Sequence, residues 1–262
     1  MPFTKKLPLF KDRPRSAFVL PQILEGALFI ADAHHQEGMA DLPHFLEKIR
    51  ARPPSQLFLM GDIFQILVGS VVQSHAPCVL EQIESLSRQI PVFYFEGNHD
   101  FGLRSLPQLK NATIYPRGTQ PVAFTHKNKI YCLAHGDLFL GFGYGLYIRL
   151  LLNGLSLRSL GFLARFRPLY ALVSTPIYAK KIKNFPQSDL DFTRFATARL
   201  EQYTLCKNGT PPLSGVIEGH FHIGRIHKPQ ESPLYVGLPS FYCTKEITEL
   251  GGLDWIIHPA LR

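Results

Sequence analysis

Long uncharged apolar runs are missing from this 262-residue chain. The most hydrophobic stretch, residues 138–157, is interrupted by Arg149 and Asn153. A bilayer-spanning helix needs about 20 consecutive apolar residues, so none is expected. Residues 1–18 are basic and proline-rich without a continuous apolar core, and do not read as a signal peptide. Cysteine is scarce: Cys78, Cys132, Cys206 and Cys243 include no CxxC pair, which leaves reduced structural thiols in a cytosolic protein as the expectation. No internal repeat is present. Acidic residues are few as well: 20 Asp and Glu against 28 Lys and Arg give a net charge of +8. That excess favours anionic partners such as phosphates, nucleic acid or an acidic membrane surface, without choosing among them. Hydrophobic content of 45% with 18% charged residues excludes long disorder and is enough for a full core.

What is present is an event that occurs five times. Residues 92–100 read VFYFEGNHD: a buried strand over Val92–Phe95 delivers Asn98, His99 and Asp100 to its tip. Asn98 offers a neutral oxygen to a metal ion; His99 can move a proton, and Asp100 beside it can set its orientation and charge. GALFIA (26–31) ends in Asp32-Ala33-His34, and LFLM (57–60) ends in Gly61-Asp62. Residues 129–134 end in His135-Gly136-Asp137, and SGVIE (214–218) ends in Gly219-His220-Phe221-His222. In an extended chain alternate residues face the same way, so Asp32 with His34, and His220 with His222, are expected to project as pairs. Helices are expected over 41–50 and 79–89, where apolar residues recur at helical spacing, and a hairpin over 122–134. Strand–helix–strand–helix–strand order implies an α/β sheet with parallel crossovers. Ligands gather at the carboxyl ends of such strands. Asp32, His34, Asp62, Asn98, His135, His220 and His222 thus form a nitrogen- and oxygen-rich set large enough for two metal ions. Strands over 234–236 and 255–257 are expected to complete a second sheet.

The ordered motifs DAH (32–34), GDIFQ (61–65), GNHD (97–100), HGD (135–137) and GHFH (219–222) resemble those of the calcineurin-like metallophosphoesterase superfamily. One departure is Gln65, where that family usually has an acid. The resemblance implies two facing mixed β-sheets flanked by helices. It also implies that Asp32, His34 and His222 hold one divalent ion, that Asn98, His135 and His220 hold the other, and that Asp62 bridges them. His99 is expected just outside the ligand set, oriented by Asp100. Two such cations, ~3.5–4 Å apart, clamp a phosphate and activate water. A donor set without thiolate suits Mn, Fe or Zn, and no serine or cysteine in the motifs offers an alternative nucleophile.

Residues 138–188 carry Arg149, Arg158, Arg165, Arg167, Lys180, Lys181 and Lys183 but no Asp or Glu. Leucines including Leu151 and Leu152 are interleaved, and short helices broken near Gly154 and Pro168 are expected. The segment reads as a lid packed on the core, as a nucleic-acid surface, or as a greasy basic cap that takes an acyl chain and rests on an anionic membrane. The third reading names Arg149, Leu151, Leu152, Arg158 and Arg165 as acyl-chain or membrane contacts. It agrees with a closer resemblance, to the UDP-2,3-diacylglucosamine diphosphatases of lipid A synthesis. These share the five motifs and an Arg/Leu-rich insertion at this place. That family uses manganese to split the pyrophosphate of a UDP-linked diacyl sugar into UMP and the diacylglucosamine 1-phosphate. It works on the inner face of a Gram-negative inner membrane, with no nucleic-acid partner. The expected organisation is a basic arm (1–22), a core (23–137 and 207–262) and a helical cap (138–206). The competing readings are a phosphoesterase of another nucleotide, phosphodiester or nucleic acid, and a non-catalytic scaffold on the same fold.

Overall fold

The computed structural model describes residues 20–184, 187–205, 212–230, 233–252 and 254–260. Most of the expected N-terminal arm, up to residue 19, and Cys206 lie outside the described residues. Where the chain enters, Gln22 bridges to Thr125.

The first half alternates strand and helix: β1 (Ala27–Ile30), α1 (Asp41–Ala51), β2 (Gln56–Leu59), a short β3 (Leu67–Val68), α2 (Pro77–Ser87) and β4 (Val92–Phe95). A short β5 (Asp100–Phe101), β6 (Thr113–Tyr115) and the hairpin of β7 (Val122–His126) and β8 (Lys129–Ala134) follow. Four helices come next: α3 (Phe142–Leu151), α4 (Gly154–Leu163), α5 (Arg167–Ala179) and α6 (Asp189–Leu205). The chain closes with β9 (Gly215–Glu218), β10 (Arg225–His227), β11 (Leu234–Gly237), the single turn α7 (Phe241–Thr244), β12 (Glu246–Gly251) and β13 (Asp254–Pro259).

Two mixed sheets result, in the orders β13-β12-β1-β2-β4-β6 and β10-β11-β9-β8-β7. The period-two alternation of the strands assigns each side chain to a layer. In the first sheet Phe29, Phe58 and Phe95 point inward to meet Phe124, Leu133, Ile217 and Val236 of the second. Leu28, Ile30, Leu57, Leu59 and Tyr94 point outward under the apolar faces of α1 and α2. On the far side Cys132, Ala134, Val216 and Tyr235 pack beneath Phe192, Ala196, Leu200 and Tyr203 of α6. Every strand that ends at the site is therefore covered on both faces, which is why these strands read as near-continuous apolar runs.

The strand over 255–257 does not join the second sheet. It lies within β13, at the edge of the first sheet, where β13 pairs antiparallel with β12 through partners such as Leu250 and Trp255. The intervening strand β12 has a weak alternation that the sequence hardly announces, and it captures β13 by hairpin formation. Trp255 still packs between the sheets, edge-on to Phe29 at 5.1 Å.

Helices α3, α4 and α5 break where Asn153 caps α4, accepting from the amides of Leu155 and Ser156, and where Pro168 opens α5. They pack through Leu151, Leu152, Leu157, Leu160 and Tyr170 onto Val68, Val71 and Phe101. Large apolar residues nevertheless stay on their outer surface, Phe142 at 87% and Leu155 at 76% exposed among them.

Candidate metal centre

The loops after β1, β2, β4, β8 and β9 meet at one end of the two sheets. The paired projections are not made by continuing strands: Asp32, His34, Asp62, His220 and His222 all have positive φ, between 42° and 65°. This left-handed backbone is uncommon outside glycine and is held only where surrounding contacts over-determine it. Those contacts are visible. The amides of Asp32 and His34 donate to the carbonyls of Gly61 and Asp62 at 3.1 and 2.9 Å. Asp32 Oδ2 accepts from the amide of His220 at 2.8 Å, joining the first motif to the last. Gly97 permits a close approach, since a Cβ there would overlap Asp62 Oδ1.

Ligand atoms of Asp32, His34 and His222 lie within 4.8 Å of one another, as do those of Asp62, His135 and His220, and those of His34, Asp62 and His99. Asn98 Oδ1 faces His135 Nε2 at 3.4 Å. All seven expected ligands thus converge, with His99 at their border. The fit to divalent cations rests on atoms left without partners. Asp32 Oδ1 and both ring nitrogens of His34 are buried and make no hydrogen bond. Asp32 Oδ1 is 3.4 Å from His222 Nε2, and Asp62 Oδ2 is 3.6 Å from His135 Nε2. Facing groups at such separations point at a shared space rather than at each other. Buried polar atoms in native structures are nearly always satisfied, so a cluster of orphans among ligand-type groups is what a cation site requires.

The electrostatics agree. Burial pulls His34 down to about 4, outweighing the carboxylates of Asp62 and Asp32, so its imidazole is neutral and ready to coordinate. Burial, with the charge of His135 next, also lowers His220. His135 moves the other way: burial opposes its charge, but Asp62, Asp137 and Asp32 together raise it to about 9. Its Nδ1–H donates to the Met60 carbonyl at 2.9 Å, leaving Nε2 for the centre. Near pH 7 a metal must displace a proton from that nitrogen. Mn²⁺ titrated calorimetrically in buffers of different ionisation enthalpy is therefore expected to release about one proton. Apparent affinity should weaken as pH falls below about 9. An affinity independent of pH between 6 and 9 would contradict this assignment.

The role expected for Asp100 needs correction. Its carboxylate does not touch His99; it accepts from the amides of Asp62, Ile63 and Gly97 and from the Tyr94 hydroxyl, at 2.7–2.9 Å. Buried at the base of the centre, it anchors the Asp62 and Gly97 turns. Burial, with Asp62 adding to it, pushes its carboxyl up to about 7. His99 is oriented instead by Gln65, whose carbonyl accepts from Nδ1 at 2.7 Å, and its amide donates to Asp62 Oδ1 at 2.9 Å.

Several supporting residues escape sequence reasoning. Gln120 accepts from the His135 amide at 2.7 Å and donates to the Glu96 and Tyr115 carbonyls. Ser240 donates to the Asp32 carbonyl at 3.0 Å. Arg199 of α6 grips Glu218 through two nitrogens and donates to the Gly136 carbonyl, clamping the His135 loop to the His220 loop. Only Glu218 left a signal, as an acid closing an apolar strand, which must find a partner when buried.

Beside the centre lies a cavity of about 610 Å³ whose wall includes Asn98, His99 and Gln65. The rest is mostly apolar: Val68, Val71 and Phe101 from the core, with Ile148, Leu151, Leu160, Leu163, Leu169 and Val173 from the cap helices. Of the cap residues singled out from the sequence, Leu151 lines this cavity, and Leu151 and Leu152 both pack where the cap meets Val68, Val71 and Phe101. Arg149, Arg158 and Arg165 are exposed on the outside and take no part in its wall.

A two-sheet α/β fold with this nitrogen- and oxygen-rich centre at its strand tips defines a metallophosphoesterase. The chain belongs to the calcineurin-like phosphoesterase family, whose model matches residues 27–224. It is similar to UDP-2,3-diacylglucosamine hydrolases. With that of Shewanella piezotolerans it shares 27% identity over 42% of this chain and 47% of the relative. With that of Tolumonas auensis it shares 37% identity over 28% of this chain and 32% of the relative. The matches thus span less than half the length of these relatives. Among solved structures, a dimetal phosphatase from Danio rerio aligns at 15% identity with a TM-score of 0.41, over 88% of this chain and 94% of that one.

Proposed function

We propose that this phosphoesterase hydrolyses the pyrophosphate of a lipid-linked nucleotide, UDP-2,3-diacylglucosamine, to UMP and 2,3-diacylglucosamine 1-phosphate. The observation that carries the reading is the juxtaposition of the apolar 610 Å³ cavity with Asn98 and His99. A substrate with a phosphate at the centre and acyl chains on the sugar needs both, side by side. The names of the similar hydrolases support the same choice.

In this reading Asp32, His34 and His222 would hold one divalent ion and Asn98, His135 and His220 the other, with Asp62 contributing to both. Bound cations, manganese in the first instance, supply charge neutralisation for the phosphoryl oxygens and a nucleophile from water at neutral pH. The side chains do the rest. Asp100 holds the Asp62 and Gly97 turns in their left-handed and close-packed geometry. His99, with Nδ1 committed to Gln65, presents Nε2 to the phosphoryl group, where it can donate a hydrogen bond or a proton to the leaving oxygen. The cap excludes water from the acyl chains and fixes the sugar end.

No helix among the described residues is long and apolar enough to cross a membrane. Exposed Phe142, Leu150, Leu155 and Leu172 share the cap with Arg149, Arg158 and Arg165, the pairing of apolar area and positive charge that draws a protein onto an anionic bilayer. The reading places the enzyme peripherally on the cytoplasmic face of the inner membrane.

The test is UMP release by purified protein with Mn²⁺ from UDP-2,3-diacylglucosamine, beside UDP-glucosamine without acyl chains. Release from the acylated substrate alone is expected. Turnover of an aryl phosphodiester with none on the acylated substrate would keep the metal centre and discard the substrate.

A further inference from the structure

The cap is tied to the metal centre by the chain that leaves it. Helix α5 ends at Ala179, and the carbonyls of a last helical turn lack intrahelical partners. One of them, Ile177 O, accepts from the amide of Lys180 at 3.2 Å and from Gln65 Nε2 at 2.6 Å. Gln65 is fully buried, three residues beyond Asp62, and its own carbonyl holds His99. Six residues after Ile177 the same segment reaches the other side of the centre, where the Lys183 carbonyl accepts from His222 Nδ1 at 2.9 Å. Ile177 and Lys180 also line the apolar cavity.

The chemistry of these two ties is specific. A metal-ligating histidine usually gives its second N–H to an acceptor that sets the ring's orientation. Here the acceptor belongs to the segment returning from the cap and not to a core strand. At this place the chain carries an amide side chain, that of Gln65. An amide can donate to Ile177 O, whereas a carboxylate would set negative oxygen against a carbonyl. Its Oε1 stays buried without a partner, so the side chain is held by the one bond to the cap.

We propose that residues 177–184 form a strap that couples the occupancy of the cap cavity to that of the metal centre, with Gln65 as the positioning residue between His99 and the cap. The proposal rests on the metal-centre reading above. Coordination through His222 Nε2 orders the ring, and the ring orders Lys183. An apolar ligand ordering α5 fixes Ile177, Gln65 and His99 in turn. Linkage requires the effect to be equal in both directions.

The test uses amide hydrogen exchange of the full chain with and without Mn²⁺, and no substrate. Mn²⁺ is expected to slow exchange in 32–35 and 219–222, and also in 172–184, by about fivefold or more. In Gln65→Leu the first two segments should keep their protection while that of 172–179 falls. Protection of the ligand loops with 172–184 unchanged would overturn the coupling and leave the metal centre standing. No protection anywhere would overturn both. Gln65→Leu behaving as wild type would remove Gln65 from the proposal. The reciprocal arm measures the Mn²⁺ Kd with submicellar dodecyl maltoside, whose neutral head group is not an anionic ligand. A tightening of about fivefold is expected, and an unchanged Kd would contradict the coupling.

Discussion

Asp62→Ala is expected to lower metal-dependent hydrolysis by on the order of a thousandfold or more while leaving the chain folded. Metal coordination contributes several kcal/mol of transition-state charge stabilisation, and about 1.4 kcal/mol corresponds to a factor of ten in rate. Asp62 belongs to two of the candidate ligand groups, with His34 and His99 and with His135 and His220, so in the proposed centre its loss should disturb both cations. The fold has little need of the carboxylate. The backbone of Asp62 is held by Asp100 Oδ1 and by the amide of His34, and its side chain accepts one hydrogen bond, from His99 N. Without the carboxylate the buried His135 loses the charge that does most to raise it and should give up its proton, so apo stability should fall while the chain stays folded. The measurement pairs turnover with melting. Mn²⁺ should raise the Tm of the wild type, because a ligand that binds only the native state stabilises it. That increase should be lost in the variant, whose circular dichroism stays native. A variant that keeps both turnover and the Mn²⁺-induced Tm increase would refute the assignment of Asp62.

The second large effect concerns substrate choice. Val173 lines the cavity from α5, yet the residue is 60% exposed and is not among those packed between the cap and Val68, Val71 and Phe101. Val173→Trp should therefore fill the cavity without breaking the fold. Each methylene kept out of apolar surroundings forfeits about 0.8 kcal/mol. Displacing about four of them costs about 3 kcal/mol, or roughly a hundredfold in kcat/KM. UDP-2,3-diacylglucosamine turnover should fall by that order, whereas turnover of a short aryl phosphodiester at the same centre should stay within about twofold. Leu151→Ser should act in the same direction by making the wall polar. Equal losses on both substrates would show that the cap supports the centre structurally and does not select acyl chains.

How much of this was legible before folding differs by level. The strand over Val92–Phe95 and the hairpin strands Val122–His126 and Lys129–Ala134 coincide with the expected spans, because apolar runs, turn residues and period-two alternation are local properties. The ligand types were legible for the same reason: each sits within a few residues of a strand end, and the chemistry of Asp, Asn and His is carried by the residues themselves. The break points of the cap helices could be read from Asn153-Gly154 and Pro168.

The sequence by itself therefore determined the strands that carry the candidate ligands, the helices between the first of them and the metal-type donor set, since these depend on neighbours a few positions away. Only the tertiary structure decided which sheet received residues 254–259, how left-handed turns aim Asp32, His34 and His222 at one point, and that Asp100 serves the Asp62 turn while Gln65 holds His99. It also decided that the end of α5 comes back over the centre, so that Ile177 meets Gln65 across 112 positions and Lys183 meets His222 across 39. Such contacts are set by how whole layers pack and by where a buried donor finds its acceptor. No short window of residues contains both partners.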